Sequence, residues 1–305
     1  MRDRFLIVHN PNAGAPRRDL MDAVTGGLEA ANCVVEVRDA ACDQGGRDIA
    51  FEAAKTGEVD AVVAAGGDGT IRSVAAGLRG TAMPVGLLPL GTGNVMAHEI
   101  GLSRKADAIV RCLREGVAVP AVGGTANDAP FFLMAGCGLD AEAIAGLNTP
   151  LKRRIGKLAY VWPVTREIFR PAPAIRAVLD GRRHSARWIV VCKAGRYAGG
   201  FTLSPDSDLF QPGLIAVLCT ARSGTGLVLD ILAIGAGYAR RAPHITFVPF
   251  RRGHFSAERP IAVQVDGESF GTLPLTVAED NLAVNILVPR DIAAARLKAW
   301  PQAAA

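Results

Sequence analysis

The stretch from Val59 to Leu102, VDAVVAAGGDGTIRSVAAGLRGTAMPVGLLPLGTGNVMAHEIGL, decides the fold of this chain. Two short apolar runs within it, Ala61–Ala65 and Val85–Leu88, each lead into a turn rich in Gly, Asp, Thr and Asn. A short apolar run that ends in such a turn is typical of a buried strand, and the segments after the turns have helical periodicity. The pattern predicts two successive units of strand, glycine turn and helix, with the two turns side by side.

Both turns have the composition of an anion-binding loop. In the first, Gly66-Gly67-Asp68-Gly69-Thr70, the glycines allow close backbone approach, and a helix expected from about Ile71 would direct its unpaired N–H groups toward the loop. The start of a helix attracts phosphate. The second turn, Pro89-Leu90-Gly91-Thr92-Gly93-Asn94, repeats the arrangement with a Thr hydroxyl and an Asn amide as neutral donors. Neither turn carries a lysine, which excludes a standard P-loop, so the two turns predict a nucleotide-phosphate site of another kind.

A third turn follows the first strand of the chain. The apolar run Phe5–Val8 predicts a buried strand, and His9-Asn10-Pro11-Asn12-Ala13-Gly14 comes directly after it. Open α/β sheets bind ligands at the carboxyl ends of their strands, so this turn is expected at the same crevice.

Composition limits the class of protein. A chain of 305 residues is long enough for two domains, and 50% apolar with 6% aromatic residues suits an α/β protein. The net charge of +5 is compatible with anionic ligands or an anionic membrane surface and is too small to indicate nucleic acid as a partner. The six cysteines form no CxxC pair, which favours buried thiols in a reducing compartment.

The localisation follows from two further features of the sequence. The chain begins Met-Arg-Asp-Arg and continues directly into a strand, without the pattern of a signal peptide. The apolar stretch Leu227–Ala239 contains Asp230 and is too short to span a bilayer. We therefore expect a cytoplasmic protein that meets a membrane only peripherally, at its inner face.

The alternation of strands and helices stops near residue 120. We predict an α/β domain over 1–120, a β-rich domain over 121–288, and a C-terminal segment, 289–305, that packs back on the first domain. The elements predicted in the second domain are strands at Phe131–Ala135, Ile175–Leu179, Trp188–Cys192, Leu214–Cys219, His244–Val248, Ile261–Val265 and Leu282–Leu287, and a helix over about Gly226–Arg240.

GGDGT at 66–70 followed by PLGTGN at 89–94 resembles the diacylglycerol kinase catalytic domain family, the lipid kinases that include sphingosine and ceramide kinases. GGDGT alone also fits NAD kinase, and PLGTGN separates the two. The resemblance implies a doubly wound, Rossmann-like α/β domain followed by a β-sandwich-like domain. It also implies ATP and Mg²⁺ as cofactors, and transfer of the γ-phosphate to the hydroxyl of a lipid, such as diacylglycerol or a sphingoid base, at a membrane surface.

The same resemblance implies which residues bind the nucleotide. They belong to the three turns, and their backbone N–H groups are expected to hold the phosphates of ATP. The expected cofactor-binding residues are Asn10, Pro11, Gly14, Gly66, Gly67, Asp68, Gly69, Thr70, Gly91, Thr92, Gly93 and Asn94.

Three carboxylates are candidates for the catalytic groups. Asp68 lies within the first glycine turn, and Asp266 and Glu268 belong to the segment Gln264-Val265-Asp266-Gly267-Glu268. Asp-Gly by itself is typical of a hairpin turn, but the segment matches the family's Asp-Gly-Glu motif. The resemblance favours Glu268 as the base that accepts the hydroxyl proton, and it leaves open how Asp68 and Asp266 divide the other roles.

Two more segments resemble family motifs with substitutions. Gly136-Cys137-Gly138-Leu139-Asp140-Ala141 is similar to Gly-x-Gly-Phe-Asp-Ala, which implies that Asp140 lies near the substrate hydroxyl. The alternative, a dinucleotide fingerprint, lacks the βαβ context that it needs. Leu209-Phe210-Gln211-Pro212-Gly213-Leu214 corresponds to Leu-x-x-Asp-Gly-Leu, whose Asp takes part in binding magnesium.

Proline has no side-chain oxygen, so Pro212 removes one ligand from that implied metal site. The remaining candidates are Asp266 with the backbone at Leu209 and Leu214, or Asp206 or Asp208 with backbone carbonyls. A second departure is at Asp39, Ala40 and Ala41, where the family usually has a Thr that touches the nucleotide.

The segment Leu151–Phe169 alternates basic residues with aliphatic and aromatic ones, which is typical of a helix lying on an anionic membrane. Two alternatives to a lipid kinase remain. One is a soluble, NAD kinase-like enzyme, against which PLGTGN argues. The other is a non-catalytic nucleotide-binding protein, suggested by Pro212 and by the missing Thr, against which the three retained carboxylates argue.

Overall fold

The computed structural model of the chain describes residues 1–11, 18–146, 165, 168, 173–197 and 200–299. The chain forms two compact units. Unit 1 consists of Met1–Val122 together with Asn281–Ala305, and unit 2 consists of Gly123–Asp280. The glycine turns therefore belong to unit 1, and the Asp-Gly-Glu segment belongs to unit 2.

Unit 1 contains a parallel sheet. Its first four strands are β1 (Arg4–His9), β2 (Val34–Asp39), β3 (Ala61–Gly66) and β4 (Val85–Pro89), and they lie in the order β2-β1-β3-β4. Every residue of β3 and β4 is buried, whereas β2 at the edge is mostly exposed. Parallel strands covered on both faces consist of continuous apolar runs, and such runs are what identified β3 and β4 in the sequence.

Five helices follow these strands in unit 1. They are α1 (Arg18–Ala30), α2 (Asp43–Thr56), α3 (Asp68–Leu78), α4 (Val95–Glu99) and α5 (Ala106–Glu115). The helix predicted from about Ile71 begins three residues earlier, at Asp68, with the extended Gly67 as its N-cap. A carboxylate in the first turn is favourable at the positive end of a helix. Three of the five residues of the first glycine turn, 68–70, are therefore helical.

The chain passes into unit 2 through β5 (Val117–Ala126). The strands that follow are β6 (Ala129–Phe131), β7 (Met134–Cys137), β8 (Ile175–Leu179), β9 (Arg182–Ala186), β10 (Trp188–Cys192), β11 (Arg196–Tyr197), β12 (Phe201–Thr202), β13 (Leu214–Cys219), β14 (Ile245–Phe250), β15 (Arg252–Ala257), β16 (Ala262–Val265) and β17 (Glu268–Thr272). Its helices are α6 (Leu139–Ala145), α7 (Gly224–Gly235) and a 3-10 helix, Ala239–Arg241.

The chain then returns to unit 1. Strand β18 (Leu275–Val288) begins in unit 2, and its last part adds to the parallel sheet, where Ile286 pairs with Val85. Helix α8 (Arg290–Ala299) follows.

Most strands of unit 2 belong to two antiparallel sets, and β11 and β12 form a separate two-stranded sheet. One sheet has the order β14-β13-β10-β7-β16-β17, and the other set pairs β18, β15, β8 and β9 in that order. Their buried side chains share one core, in which Ile189 and Val191 of the first sheet lie with Ala177 and Phe255 of the second. The predicted fold class, an α/β domain followed by a β-sandwich-like domain, is confirmed.

Three predicted elements of the second half were wrong in their bounds. The strand predicted at Phe131–Ala135 is interrupted at residues 132 and 133, which separate β6 from β7. The helix predicted to Arg240 ends at Gly235, because three residues around Gly237, which has a left-handed φ of 80°, break it before the 3-10 helix. The strand predicted from Leu282 begins at Leu275.

All six cysteines are free, and five of them are buried. Every helix in the described part of the chain is too short or too polar to span a bilayer.

Candidate functional site

The three glycine or asparagine turns follow three strands that are neighbours in the sheet of unit 1. They leave the carboxyl ends of β1, β3 and β4, which lie in the order β1-β3-β4. In a parallel sheet these ends share one edge, which is where open α/β sheets bind their ligands.

The first and second glycine turns are joined directly through their backbones. The carbonyl oxygen of Gly66 accepts hydrogen bonds from the N–H groups of Leu90 (2.9 Å) and Gly91 (3.1 Å). A Cβ atom at Gly91 would lie 2.5 Å from the Cα of Gly67, closer than van der Waals contact allows. Glycine is therefore required at position 91 for the two turns to approach each other.

Asp68 adds a side-chain link between the same two turns. Its Oδ2 accepts a hydrogen bond from the N–H of Val95 and its Oδ1 accepts one from the N–H of Met96, both at 3.1 Å. Burial raises the pKa of the Asp68 carboxyl, and the backbone N–H donors oppose that rise. Asp68, in the first turn of α3, thus caps the start of α4.

This capping changes the prediction for the second turn. The N–H groups at the start of α4 were expected to face phosphate, but two of them already donate to Asp68. The groups of the second turn that remain for an anion are the backbone N–H groups of Thr92 and Gly93. The first turn retains the start of α3, an 11-residue helix.

Asn94 braces the second turn from inside. Its side chain is fully buried, and its Nδ2 donates to the carbonyl oxygens of Gly91 at 2.7 Å and Pro89 at 3.4 Å. Its backbone has a left-handed φ of 49°, which Asn tolerates better than most residues. The amide predicted as a phosphate donor is therefore directed at the turn itself.

Asn10 links the turn after β1 to the first glycine turn. Its Nδ2 lies 3.2 Å from Oγ1 of Thr70, to which it donates, and its backbone N–H donates to the carbonyl of Ala65 at 3.0 Å. Pro11 follows in the turn, and the predicted Gly14 lies outside the described residues. Asn10 thus connects the turn after β1 to the first glycine turn, and Asp68 connects the first glycine turn to the second.

A contact between a histidine and an aspartate occupies the position where the family usually has a Thr. His9 and Asp39 are paired residues at the ends of β1 and β2, and His9 Nδ1 lies 2.8 Å from Asp39 Oδ1. The side chain of Asp39 is 67% exposed. An exposed carboxylate therefore lies at the carboxyl end of β2.

In unit 2, the Asp-Gly-Glu segment forms a tight hairpin. Val265 of β16 pairs with Glu268 of β17, and Asp266 and Gly267 between them have left-handed φ angles of 48° and 83°. A two-residue loop with two positive φ angles is the type I′ turn that Asp-Gly favours. Glu268 is exposed as the first residue of β17.

The two carboxylates of this hairpin differ sharply. Asp266 is buried, and it accepts backbone hydrogen bonds from Phe132 at 3.0 Å and from Leu133 and Met134 at 2.9 Å. Phe132 and Leu133 form the break between β6 and β7, and Met134 is the first residue of β7. Asp266 therefore stabilises the backbone of residues 132–134 through these hydrogen bonds. Glu268 is the carboxylate of the pair that is exposed at the surface.

Asp140 is buried in a network of donors. Its carboxylate accepts hydrogen bonds from Trp188 Nε1 and Gln264 Nε2 at 3.0 Å, from the Ala141 N–H at 2.9 Å and from the Tyr197 hydroxyl at 3.3 Å. Burial raises the pKa of the Asp140 carboxyl, against the effect of these donors. Gln264 also accepts from the N–H of Gly267 at 2.8 Å, so Asp140 is connected to the hairpin that carries Glu268.

The implied metal site at Leu209–Leu214 does not fit a divalent ion. Pro212 supplies no oxygen, and the carbonyl oxygens of Gln211 and Gly213 accept hydrogen bonds from the Lys193 ammonium group. The oxygens of the predicted ligand Asp266 accept backbone N–H groups instead. Among the described residues, no group of three or more His, Cys, Asp or Glu side chains is arranged to hold a metal.

Two of the features above were missed in the sequence. Lys193 follows the apolar run Trp188–Cys192, and a lysine directly after a buried strand is the signal that could have identified it. The capping of α4 by Asp68 joins residues 27 and 28 positions apart, and local patterns carry no signal for it. The predicted membrane helix, Leu151–Phe169, lies almost wholly outside the described residues.

Comparison with known proteins agrees with this architecture. Residues 4–126 match the diacylglycerol kinase catalytic domain, and residues 134–290 match the YegS C-terminal NAD kinase beta sandwich-like domain.

Individual relatives are distant. The chain is 26% identical over 301 residues to a diacylglycerol kinase of Bacillus subtilis, with 94% of this chain and 97% of that protein covered. It is 27% identical over 242 residues to a diacylglycerol kinase of Mycobacterium tuberculosis, with 76% and 77% covered. An uncharacterized protein of Synechocystis is 27% identical over 247 residues, and there the match spans 76% of this chain and only 56% of that protein.

A solved structure has the same fold. The crystal structure of a diacylglycerol kinase from Bacillus anthracis superposes with a TM-score of 0.77 at 19% identity, covering 95% of this chain and 99% of that one. The two domain matches lie in the same order as the glycine turns and the hairpin. This chain belongs to the diacylglycerol kinase catalytic domain family.

Proposed function

We propose that this protein is an ATP-dependent lipid kinase, which transfers the γ-phosphate of ATP to the hydroxyl group of a lipid such as diacylglycerol or a sphingoid base. The observation that carries the proposal is the joining of the two glycine turns by Gly66, Gly91 and Asp68 at the carboxyl edge of a parallel sheet. Membership of the family supports the same activity.

The phosphates of ATP would bind where the turns meet. Helix α3 contributes the positive end of its dipole and its first N–H groups, and Thr92 and Gly93 contribute further backbone N–H groups. Phosphoryl transfer depends on positioning and on electrostatic stabilisation. The main contribution of the chain to catalysis would therefore be to hold the phosphates in place through these backbone N–H groups. A magnesium ion would arrive bound to the nucleotide and neutralise charge on the phosphates.

The roles of the three carboxylates differ in this proposal. Asp68 and Asp266 act as positioning residues, because the oxygens of each accept backbone N–H groups. Glu268 is exposed and follows a rigid two-residue turn, which suits a base that accepts the proton of the attacking hydroxyl. Asp140, through Gln264, steadies the turn that presents Glu268.

The lipid would be met at a membrane surface, and helix α7 supports this. Leu229 and Leu232 of α7 are 57% and 62% exposed, and Tyr238, just beyond the helix, is 56% exposed. A helix that is apolar on its exposed face as well as its buried face needs a partner for the exposed one. Arg222, two residues before α7, and Arg241, in the 3-10 helix that follows it, are exposed, and Arg241 lies 5.4 Å from the centre of the Tyr238 ring.

Apolar side chains beside exposed arginines are what an anionic bilayer binds: the apolar groups enter the interface and the cations pair with the headgroups. We therefore propose peripheral attachment of the protein to the inner face of the membrane through α7. This attachment would bring a hydroxylated lipid to the kinase without a membrane-spanning segment.

The proposal is tested by transfer of labelled γ-phosphate from Mg·ATP to a panel of lipid hydroxyls in mixed micelles, with NAD as a soluble acceptor. Gly91→Ala serves as the blank, because its methyl group would collide with Gly67. Gly26→Ala is the matched control, since a Cβ atom at that helical glycine meets nothing within 4 Å.

We expect label on one class of lipid, retained in Gly26→Ala and lost in Gly91→Ala. Label on NAD alone would instead identify a soluble kinase. Binding of ATP without transfer to any acceptor would identify a non-catalytic nucleotide-binding protein.

A further inference from the structure

Lys193 is an unusual residue of unit 2. It directly follows β10, its side chain is only 1% exposed, and its backbone N–H donates to the carbonyl of Leu133 at 2.9 Å. Lysine is almost never buried to this degree unless its charge is paired, because removing an ammonium group from water costs several kcal/mol. The surroundings of this side chain must therefore satisfy a cation.

The ammonium group is satisfied mainly by backbone oxygens of one loop. Nζ donates hydrogen bonds to the carbonyl oxygen of Gln211 and, at 3.2 Å, to that of Gly213. These two residues flank Pro212. The loop is the segment Leu209–Leu214, where the resemblance to the family implies a magnesium site and where this chain has Pro in place of Asp.

Two carboxylates complete the environment. Glu279 and Asp208 both attract the ammonium charge. Glu279 also accepts a hydrogen bond from the N–H of Gly213, so it is bound to the same loop. Burial nevertheless lowers the pKa of Lys193 to about 8. The loop thus supplies carbonyl oxygens, Asp208 and Glu279 supply carboxylate oxygens, and the Lys193 ammonium group is held by this set.

We propose that Lys193 is the built-in cation of the Leu209–Leu214 loop and that this loop binds no divalent metal ion. The replacement is chemically consistent, because a lysine ammonium is a compact charge with three donors that can bond to carbonyl oxygens. Magnesium needs about six oxygens at 2.0–2.1 Å, several of them from carboxylates or water. It cannot share the carbonyls of Gln211 and Gly213 with a positive group already bonded to them.

The consequence is that unit 2 keeps this loop ordered at any concentration of metal. Any requirement for magnesium would then come from the nucleotide alone. The inference does not depend on the proposed kinase activity, and its test contains neither nucleotide nor lipid, so the two proposals can fail separately.

The test is Mn²⁺ binding to the nucleotide-free, full-length chain, followed by electron paramagnetic resonance, in three forms. They are the wild type, Pro212→Asp, which restores the missing carboxylate beside the lysine, and Lys193→Ala/Pro212→Asp, which also removes the ammonium group. We expect at least a tenfold gain in Mn²⁺ affinity in the double variant and none in Pro212→Asp. A gain of that size in Pro212→Asp alone would overturn the proposal, because the lysine would then not exclude the metal.

The double variant has a hole in its core and could fail to fold, so thermal unfolding gives a second measurement. Lys193→Met keeps the volume and removes the charge, and Lys55→Met removes the charge of an exposed lysine as the control. We expect Lys193→Met to lower the Tm by several degrees in buffers with and without Mg²⁺, and Lys55→Met to leave it unchanged. An unchanged or higher Tm in Lys193→Met would overturn the proposal, because the loop would then need no cation.

Discussion

The carboxylate of Asp68 lies 3.1 Å from the backbone nitrogen of Met96, and through this bond one glycine turn holds the next. Asp68, the acidic residue of GGDGT and a candidate catalytic group, thus links the two turns structurally. Asp68 and the backbone hydrogen bonds of Gly66 together fix the position of one turn against the other, and phosphate binding in the proposed function depends on this positioning.

Replacing Asp68 with Asn tests this link. The amide keeps one acceptor oxygen, but its NH₂ group faces a second N–H that then has no acceptor. We expect Asp68→Asn to lower the free energy of unfolding by roughly 1–3 kcal/mol and to raise the KM for ATP more than it lowers kcat. Denaturant unfolding and initial rates against ATP check both effects. Asp22→Asn, at an exposed residue of α1, is the control. A loss in kcat alone would indicate that Asp68 takes part directly in catalysis.

The buried Asp140 predicts a particular pH dependence of stability. Its pKa is raised in the folded state by burial, so between the ordinary carboxyl pKa and that higher value the folded chain binds more protons than the unfolded chain. The free energy of unfolding therefore falls as pH rises through this range, by at most about 1.4 kcal/mol per pH unit for one proton.

Urea unfolding of the wild type and of Asp140→Asn at a series of pH values above 4 measures this contribution. The variant should lose the part of the slope that Asp140 supplies, although its overall stability is lower because Gln264 and Trp188 lose a carboxylate partner. If the free energy of unfolding depends on pH in the same way in the two proteins, the folded-state pKa of Asp140 is not raised.

Glu268 is predicted to affect chemistry without affecting the fold. It is exposed, so Glu268→Gln should leave the Tm within about 1 °C while lowering kcat by roughly 100-fold or more, as expected when a general base is removed. Phosphate transfer and thermal unfolding are measured on the same samples. Glu258→Gln removes another exposed carboxylate of unit 2 and should retain full activity; equal rates in both variants would exclude Glu268 as the base.

Asp266, two residues earlier, is predicted to behave in the opposite way. Asp266→Asn leaves at least one of the N–H groups of Phe132, Leu133 and Met134 without a carboxylate acceptor, which costs roughly 1–3 kcal/mol of stability. Activity should fall only as far as the turn that carries Glu268 is loosened. Denaturant unfolding distinguishes the two residues, and a stable but inactive Asp266→Asn would make Asp266 a direct participant in the reaction.

Helix α7 gives a prediction about membrane binding. Leu229→Asp/Leu232→Asp places charge on the exposed apolar face and should reduce binding to vesicles that contain anionic lipid by at least tenfold, since each change removes a large apolar group from the interface. Co-sedimentation with vesicles measures the effect. Phe51→Asp alters an apolar side chain of unit 1 that is 60% exposed and serves as the control. Equal loss in the two proteins would argue against α7 as the attachment surface.

Much of the strand framework could be predicted because buried parallel strands are continuous apolar runs. Ala61–Ala65 and Val85–Leu88 lie within β3 and β4, and Ile175–Leu179 and Trp188–Cys192 match β8 and β10. The start of α3 could not be placed, because Gly-Asp-Gly has loop composition and becomes helical only where its N-terminus is held by tertiary contacts.

The roles of the polar residues were harder to predict than the strands. A sequence shows that Asp68, Asp266 and Lys193 are charged, but not which backbone groups reach them from distant parts of the chain. Asp266 bonds to residues more than 130 positions away, and Lys193 to carbonyls 18 and 20 positions away. Family motifs identify Asp68 and Asp266 and imply a catalytic or ligand-binding role for them, whereas here the oxygens of each accept backbone N–H groups of the protein itself.

The path of β18 has a consequence for biosynthesis. Unit 1 includes residues from both ends of the chain, and Val284, Ile286, Leu287 and Val288 of β18 are buried in it. A ribosome delivers these residues only after the whole of unit 2. The rest of unit 1 therefore has an open sheet edge until unit 2 has been synthesised, whereas unit 2 is continuous and can fold before it.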